Sequence, residues 1–235
     1  MGANAQTSVP AFTAGQVLTA VQVTQINTGI PVFASSTERD AAFGGTGEKT
    51  LAEGQMAYLE DTNATQYYDG SSWVELGRGA LKLVSRTAIG SAVSSVTVSG
   101  AFSTDYDAYK IIVTGGTASA NGTFTLKLGA TTAGYKYQQL YGTYSGTSGA
   151  LGSGAAASWA YAGAHLTTGL EANIDVDQPF LTTRSFYRCF APFSSSAGWV
   201  GGYLDDATSY TAFTLTTSTG TITGGNVDVY GYVKA

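Results

Sequence analysis

The sequence predicts a mainly β protein: a small N-terminal α+β module, made of a short helix and a three-stranded meander, followed by an antiparallel β-sandwich of jelly-roll type. Three observations predict this class. Charged residues make up only 11% of the chain against 43% apolar, so the polar surface must come from Thr, Ser, Asn, Gln and the backbone of 31 glycines. That mixture suits short strands and tight turns better than helices. Helix-start signals stand only ahead of Gly44, and from Ala80 onward short apolar segments recur between Gly- and Ser-rich turns.

The elements follow in chain order. Residues 1 to 12 are small, polar and Pro-bearing, and are expected to form an extended arm ordered by a partner. Thr19-Ala20-Val21-Gln22 has the form of a capping box; Val23, Ile26 and Ile30 then recur at helical spacing until Pro31 stops the helix. Val32 and Phe33 read as a brief strand. Ser35-Ser36-Thr37-Glu38 is a second capping box, opening a helical turn that Gly44 and Gly45 end. Gln55 to Leu59 is a strand with its turn at Asp61-Thr62-Asn63. Two more strands, Gln66 to Tyr68 and Trp73 to Leu76, flank Asp69-Gly70-Ser71-Ser72, where Asp-Gly supplies the positive-φ tolerance of a tight hairpin. Residues 13 to 79 therefore form the module, with Gly77-Arg78-Gly79 as its hinge.

Residues 80 to 235 form the sandwich. Its clearest strand is Thr123-Phe124-Thr125-Leu126-Lys127-Leu128, with Phe124, Leu126 and Leu128 on one face and Thr123, Thr125 and Lys127 on the other. Similar segments lie near residues 81 to 86, 93 to 98, 109 to 114, 184 to 190, 198 to 204, 211 to 217 and 226 to 233, about eight strands in all, as in a jelly roll. Between Lys136 and Glu171 there is no charged residue, only small and hydroxylic residues punctuated by aromatics. Such a stretch is expected to be covered by another subunit, folded over its own sandwich or used to grip a ligand.

Charge and chemistry narrow the function. The net charge of −5 sits wholly in residues 1 to 79, with three basic against eight acidic residues; the remainder balances eight against eight. With no basic stripe, nucleic acid is not an expected partner. A lone Cys189 excludes an intrachain disulfide, and the single His165 leaves no Cys/His set of zinc-ligand spacing, so neither metal nor cofactor is expected. The first residues lack a basic and an apolar signal region, Gln6 stands where a myristoylation signal needs Ser or Thr, and no apolar run is long enough to span a bilayer. A soluble chain with no membrane insertion is the expectation.

Catalytic motifs fare poorly. Gly44 to Thr50 is superficially like a phosphate-binding loop, but Glu48 places a negative charge where phosphate would sit. His165 is the only candidate base for a Ser or Cys nucleophile, and its nearest acid in sequence is Glu171. For glycoside cleavage the carboxylates nearest the aromatic stretch are Glu171, Asp175, Asp177, Asp205 and Asp206. Asp175-Val176-Asp177 has same-face strand spacing and Asp205-Asp206 follows a Gly-rich strand, arrangements more typical of turns and solvated rims than of an acid/base pair or a calcium site. A non-enzymatic chain is expected.

Two segments resemble bacteriophage virion proteins. Phe12 to Ala20, Gln25-Ile26-Asn27 and the Ser-Thr-Glu-Arg-Asp-Ala string from Ser36, followed by Gly54 to Leu59 and the Tyr67 to Trp73 hairpin, are similar to the opening of phage tail and appendage proteins. The resemblance implies that residues 12 to 77 dock to other virion proteins or oligomerise. Ile222 to Tyr232, together with Tyr109 to Val113, resembles strands of tail-fibre and head-fibre sandwiches. The implied protein is a structural component of the virion, a tail fibre or tail-tip protein assembled as a homotrimer that attaches to the host surface through its sandwich. A capsid-bound head fibre or decoration protein, and a polysaccharide depolymerase, are the alternatives. If the sandwich grips a host-surface glycan, aromatic rings are the natural platforms, and the candidate ligand-binding residues are Tyr141, Tyr144, Trp159, Tyr161, His165, Trp199 and Tyr203.

Overall fold

Capping and strand alternation shape a chain that divides into two compact units, Met1–Arg78 and Gly79–Ala235. The computed structural model describes residues 7 to 26, 29 to 46, 48 to 77 and 79 to 234. The first half of the expected arm and the hinge residue Arg78 lie outside the described residues, as does the side chain of Ile26.

In the N-terminal unit the first capping box closes in both directions, and the second signal forms its N-cap bond. Thr19 accepts the Gln22 N–H at 3.2 Å while its own N–H donates to Gln22 Oε1 at 3.0 Å, starting α1 (Ala20–Ile26). After β1 (Val32–Phe33), the Ser35 hydroxyl accepts the Glu38 N–H at 3.4 Å and starts α2 (Ser36–Ala41). The meander is β2 (Met56–Leu59), β3 (Ala64–Tyr68) and β4 (Trp73–Glu75), with β1 added in parallel beside β2. Its hairpin turn is held by Asp69, which accepts the N–H groups of Ser71 at 2.8 Å and Ser72 at 2.7 Å. These donors, Ser72 first, lower the Asp69 pKa to about 2.

Val9, Phe33, Ala42, Ala57 and Leu59 make a small core, with Phe43 and Trp73 against it. Val9 corrects the expectation of a partner-ordered arm. It is buried, donates its N–H to Ala42 O at 3.1 Å and accepts the Lys49 N–H at 2.9 Å, so the module itself orders this part. Burying one more apolar side chain and satisfying two backbone groups outweighs leaving the segment free.

The C-terminal unit contains β5 (Leu81–Ala88), β6 (Ser95–Val98), β7 (Ala108–Gly115), β8 (Thr117–Ala118), β9 (Gly122–Leu128), β10 (Tyr135–Thr143) and β11 (Ser148–Ala156). It continues with β12 (Ala164–Leu166), β13 (Gly169–Asp177), β14 (Ser185–Pro192), β15 (Ser196–Leu204), β16 (Phe213–Thr217), β17 (Ile222–Thr223) and β18 (Asn226–Tyr232). The protein is mainly β, with large antiparallel pairings and a curled sheet. In place of two separate four-stranded sheets, one ladder runs β11-β10-β15-β14-β13-β7-β18-β5. The reason is β13. Its Ile174 to Asp177 half pairs with β14, its Gly169 to Glu171 end turns aside to pair with β12, and β12 leads on to β9, β16 and β6.

The two arms of this branched sheet bury a single core. Tyr109, Ile111 and Val113 of β7, Ile174 and Val176 of β13, and Tyr187 of β14 meet Phe124, Leu126 and Leu128 of β9 and Phe213 and Leu215 of β16. Gly202 serves close approach: a Cβ there would overlap the Lys136 carbonyl oxygen across the β15–β10 ladder.

Strands β10 to β12 and the start of β13 fill the charge-free span between Lys136 and Glu171, and its Trp159 and His165 fold into the interior of the C-terminal unit. Asp175 and Asp177, whose spacing puts both on one face of a strand, do lie on one face of β13, which is a central strand rather than a rim. Leu126 is fully buried where the two arms meet. Leu126→Ala should cost about 2–5 kcal/mol of unfolding free energy, measured by urea denaturation, because the surrounding sheets cannot collapse into the cavity.

Candidate functional site

Strict alternation along β7, β13, β14, β15 and β10 sends every second residue out to solvent. Cross-strand register then assembles an outward row: Gln138 of β10 opposite Gly201 of β15, Gly201 opposite Arg188 of β14, Arg188 opposite Asp175 of β13, and Asp175 opposite Lys110 of β7. Beside it runs an apolar row in which Trp199 faces Leu140 on one side and Phe190 on the other. Together with Asn173, these residues line an open groove of about 620 Å³.

The aromatic wall is solvent-facing. Trp199 is 68% exposed and Leu140 62%, and the Phe190 and Trp199 rings lie 4.9 Å apart, tilted by 51°. The polar row is charged but locally neutral. Lys110 Nζ donates to Asn173 Oδ1 at 2.7 Å and pairs with Asp175 at 3.2 Å, and the Tyr232 hydroxyl donates to Asp175 at 2.8 Å. Arg188 holds Asp177 through two contacts, at 2.9 and 3.2 Å. Half-exposed pairs of this kind add little stability, but they fix where donors and acceptors point. Burial, with the bond to Asp175, pushes the Tyr232 pKa up to about 12, so the phenol remains a donor.

The structure separates the seven expected ligand-binding residues. Trp199 alone lines the groove. Tyr203 lies one row over, with Lys136 Nζ at 5.3 Å and the Arg184 guanidinium at 5.1 Å from its ring centroid, so cations occupy its faces. Tyr144 is exposed beyond the end of β10, whereas the Tyr141 ring lies against Gly149 of β11, where it closes on any added Cβ. Tyr161 packs edge-on to Tyr137 and Phe193 against the core.

Trp159 and His165 are corrections, since both are wholly buried. The Trp159 indole stacks on Tyr187 at 5.0 Å and meets Tyr135 edge-on, and its backbone exchanges hydrogen bonds with Leu126, extending the ladder of β9. His165 packs edge-on to Phe124, and its Nδ1 bonds Ala120 O at 3.0 Å. Apolar ring area favours the core over solvent, and a charge-free stretch can supply it without stranding an ion.

Sequence reasoning missed Lys110, Gln138, Leu140, Asn173, Asp175, Arg188, Phe190 and Gly201 as groove residues. The available signal was the alternation Phe186, Arg188, Phe190 against Tyr187 and Cys189, which marks an outward aromatic–basic face. Cys189 lies beneath the groove, and burial pushes its thiol up to about 12, so it behaves as a small apolar residue.

Two further carboxylates weighed for cleavage, outside the groove lining, are also engaged. Asp205 is held low by Lys136 and Arg184, and Asp206 by Thr208 and Tyr210. Among the described residues no group of three or more His, Cys, Asp and Glu side chains is placed to hold a metal ion, and no helix is long and apolar enough to cross a membrane. Comparison with protein-family models, with curated proteins and with solved structures finds no match to this chain.

The buried imidazole makes stability depend on pH. Burial lowers the His165 pKa below its ordinary 6.5, against a smaller upward pull from the Ala120 carbonyl. The unfolded chain then binds the proton more readily, so stability is full above 6.5 and is lost as pH falls toward the folded value. His165→Phe, which keeps a ring in the core, should remove this acid slope between about pH 7.5 and 5.5 in chemical denaturation series. Burial raises the Glu171 pKa and contributes the opposite slope in both proteins, so their difference isolates His165.

Proposed function

We propose that this chain is a structural component of a bacteriophage particle, a tail fibre or tail-tip protein whose N-terminal unit docks to other virion proteins and whose C-terminal unit attaches to the host surface. The resemblance of residues 12 to 77 to virion-docking segments supports the first half, together with the division of the chain at that point. The observation that carries the second half is the outward face of the large sheet, where Trp199, Phe190 and Leu140 stand exposed beside an ordered polar row. Contiguous exposed apolar patches rimmed by polar groups mark interaction sites, which single exposed side chains do not.

The packing of both sheet arms on one core supports reading the C-terminal unit as a sandwich akin to the jelly roll. Attachment without cleavage fits the paired state of Asp175 and Asp177, neither of which stands free as a proton donor or nucleophile. A homotrimer would place several copies of the face around one axis and strengthen weak contacts through effective concentration.

Immunogold labelling of intact particles made by the encoding genome, with antibody to the C-terminal unit, tests this reading. Gold at the tips of tail appendages is the expected result. Gold on heads would replace the reading with a capsid-bound fibre, and unlabelled particles would end the virion assignment.

A further inference from the structure

The groove has a chemistry that selects a class of ligand. Resting on the reading of this chain as a surface-attachment protein, we propose that the groove between the Trp199 wall and the Gln138–Arg188–Asp175 row binds an uncharged saccharide. One ring stacks on the indole and its hydroxyls reach the polar row.

Three features support this. First, the wall is an exposed indole backed by Phe190 and Leu140, a flat apolar platform matched to the C–H face of a pyranose. Second, the facing row mixes acceptors and donors, running from the Gln138 amide past Gly201 to the Arg188 guanidinium, the Asp175 carboxylate and the Lys110 ammonium, with the Asn173 amide beside it bonded to Lys110. Neighbouring sugar hydroxyls, each both donor and acceptor, can satisfy such a row, whereas a purely apolar ligand would strip water from it without return.

Third, the charges are already matched, Lys110 with Asp175 and Arg188 with Asp177. An anionic sugar would have to pull a cation from its carboxylate, and a cationic one would meet Lys110. Extended peptides bind sheet edges, where backbone groups are free. This groove lies on the face of a sheet whose strands β14, β15 and β10 are paired on both sides.

Gly201 keeps the groove open. It sits in the row between Gln138 and Arg188, and a Cβ there would meet nothing closer than Tyr187 O at 3.7 Å. A side chain at this position therefore fits the fold while filling the floor of the groove, which provides a blocking variant that leaves the core untouched. Trp199→Ala is equally gentle, because so exposed an indole supports little of the core.

The test titrates the full chain with neutral hexasaccharides of glucose, mannose and N-acetylglucosamine, and with polysialic and sulfated hexamers as charged comparators. Indole fluorescence and saturation-transfer NMR report binding. At least one neutral hexamer should bind, with saturation transferred to ring C–H protons. Trp199→Ala and Gly201→Val should each weaken binding at least about tenfold with unchanged thermal unfolding.

Binding of the charged hexamers alone, binding that both variants leave intact, or binding of none would each overturn the proposal. So would self-association of the chain that shields Trp199 from acrylamide, which would make the face an interface between copies. Particle labelling is independent of saccharide binding, so labelled tail tips with no saccharide bound would remove this inference alone. Unlabelled particles with saccharide bound would remove the virion role and leave the groove assignment standing.

Discussion

The two-residue period of β7, β13, β14 and β15 is the constraint on which both the core and the groove depend. Because successive side chains point to opposite faces, placing Ile174 and Tyr187 in the core places Asp175 and Arg188 on the surface in the same act. A slip of one residue would bury an ion pair and expose the largest rings of the core, an exchange costing several kcal/mol. The groove is thus held in register by hydrophobic burial on the reverse side of the sheet, and its polar row needs little stability of its own.

The same constraint explains why β13 can branch. One edge pairs along almost its full length with β7, while the other is shared between β14 and the short β12. Turning part of a strand's edge toward a second sheet curls the structure and lets Trp159 and His165 enter the interior from the segment ahead of it. The aromatic residues of the charge-free stretch are therefore largely spent on packing, and the exposed aromatic wall of the groove comes instead from Phe190 and Trp199, further along the chain.

Much of the fold was legible where local chemistry repeats a rule. Both helix N-caps, the Asp69 hairpin and the alternation of Phe124, Leu126 and Leu128 each carry their own signal and appear where that signal lies. Strand β11 was not legible, because its run of Gly, Ala and Ser offers neither β propensity nor contrast between faces, and tertiary pairing alone makes it a strand. Strand β10, with Tyr135, Tyr137 and Tyr141, carried a strand signal in its aromatics that the charge-free composition around it obscured. In β13 the spacing of Asp175 and Asp177 did mark one face of a strand, but nothing local said that the strand is central and that its acids meet Lys110 and Arg188. The groove was less legible still. Trp199 could be chosen as an aromatic, but Gln138, Arg188, Asp175 and Lys110 become its neighbours only through register between strands distant in sequence.

Cross-strand nuclear Overhauser contacts in the C-terminal unit probe that register directly. The account predicts backbone contacts from Asp175 to both Arg188 and Lys110, and from Gly201 to both Arg188 and Gln138. Contacts that instead set Ile174 or Val176 directly opposite Arg188 would show a one-residue slip and contradict it.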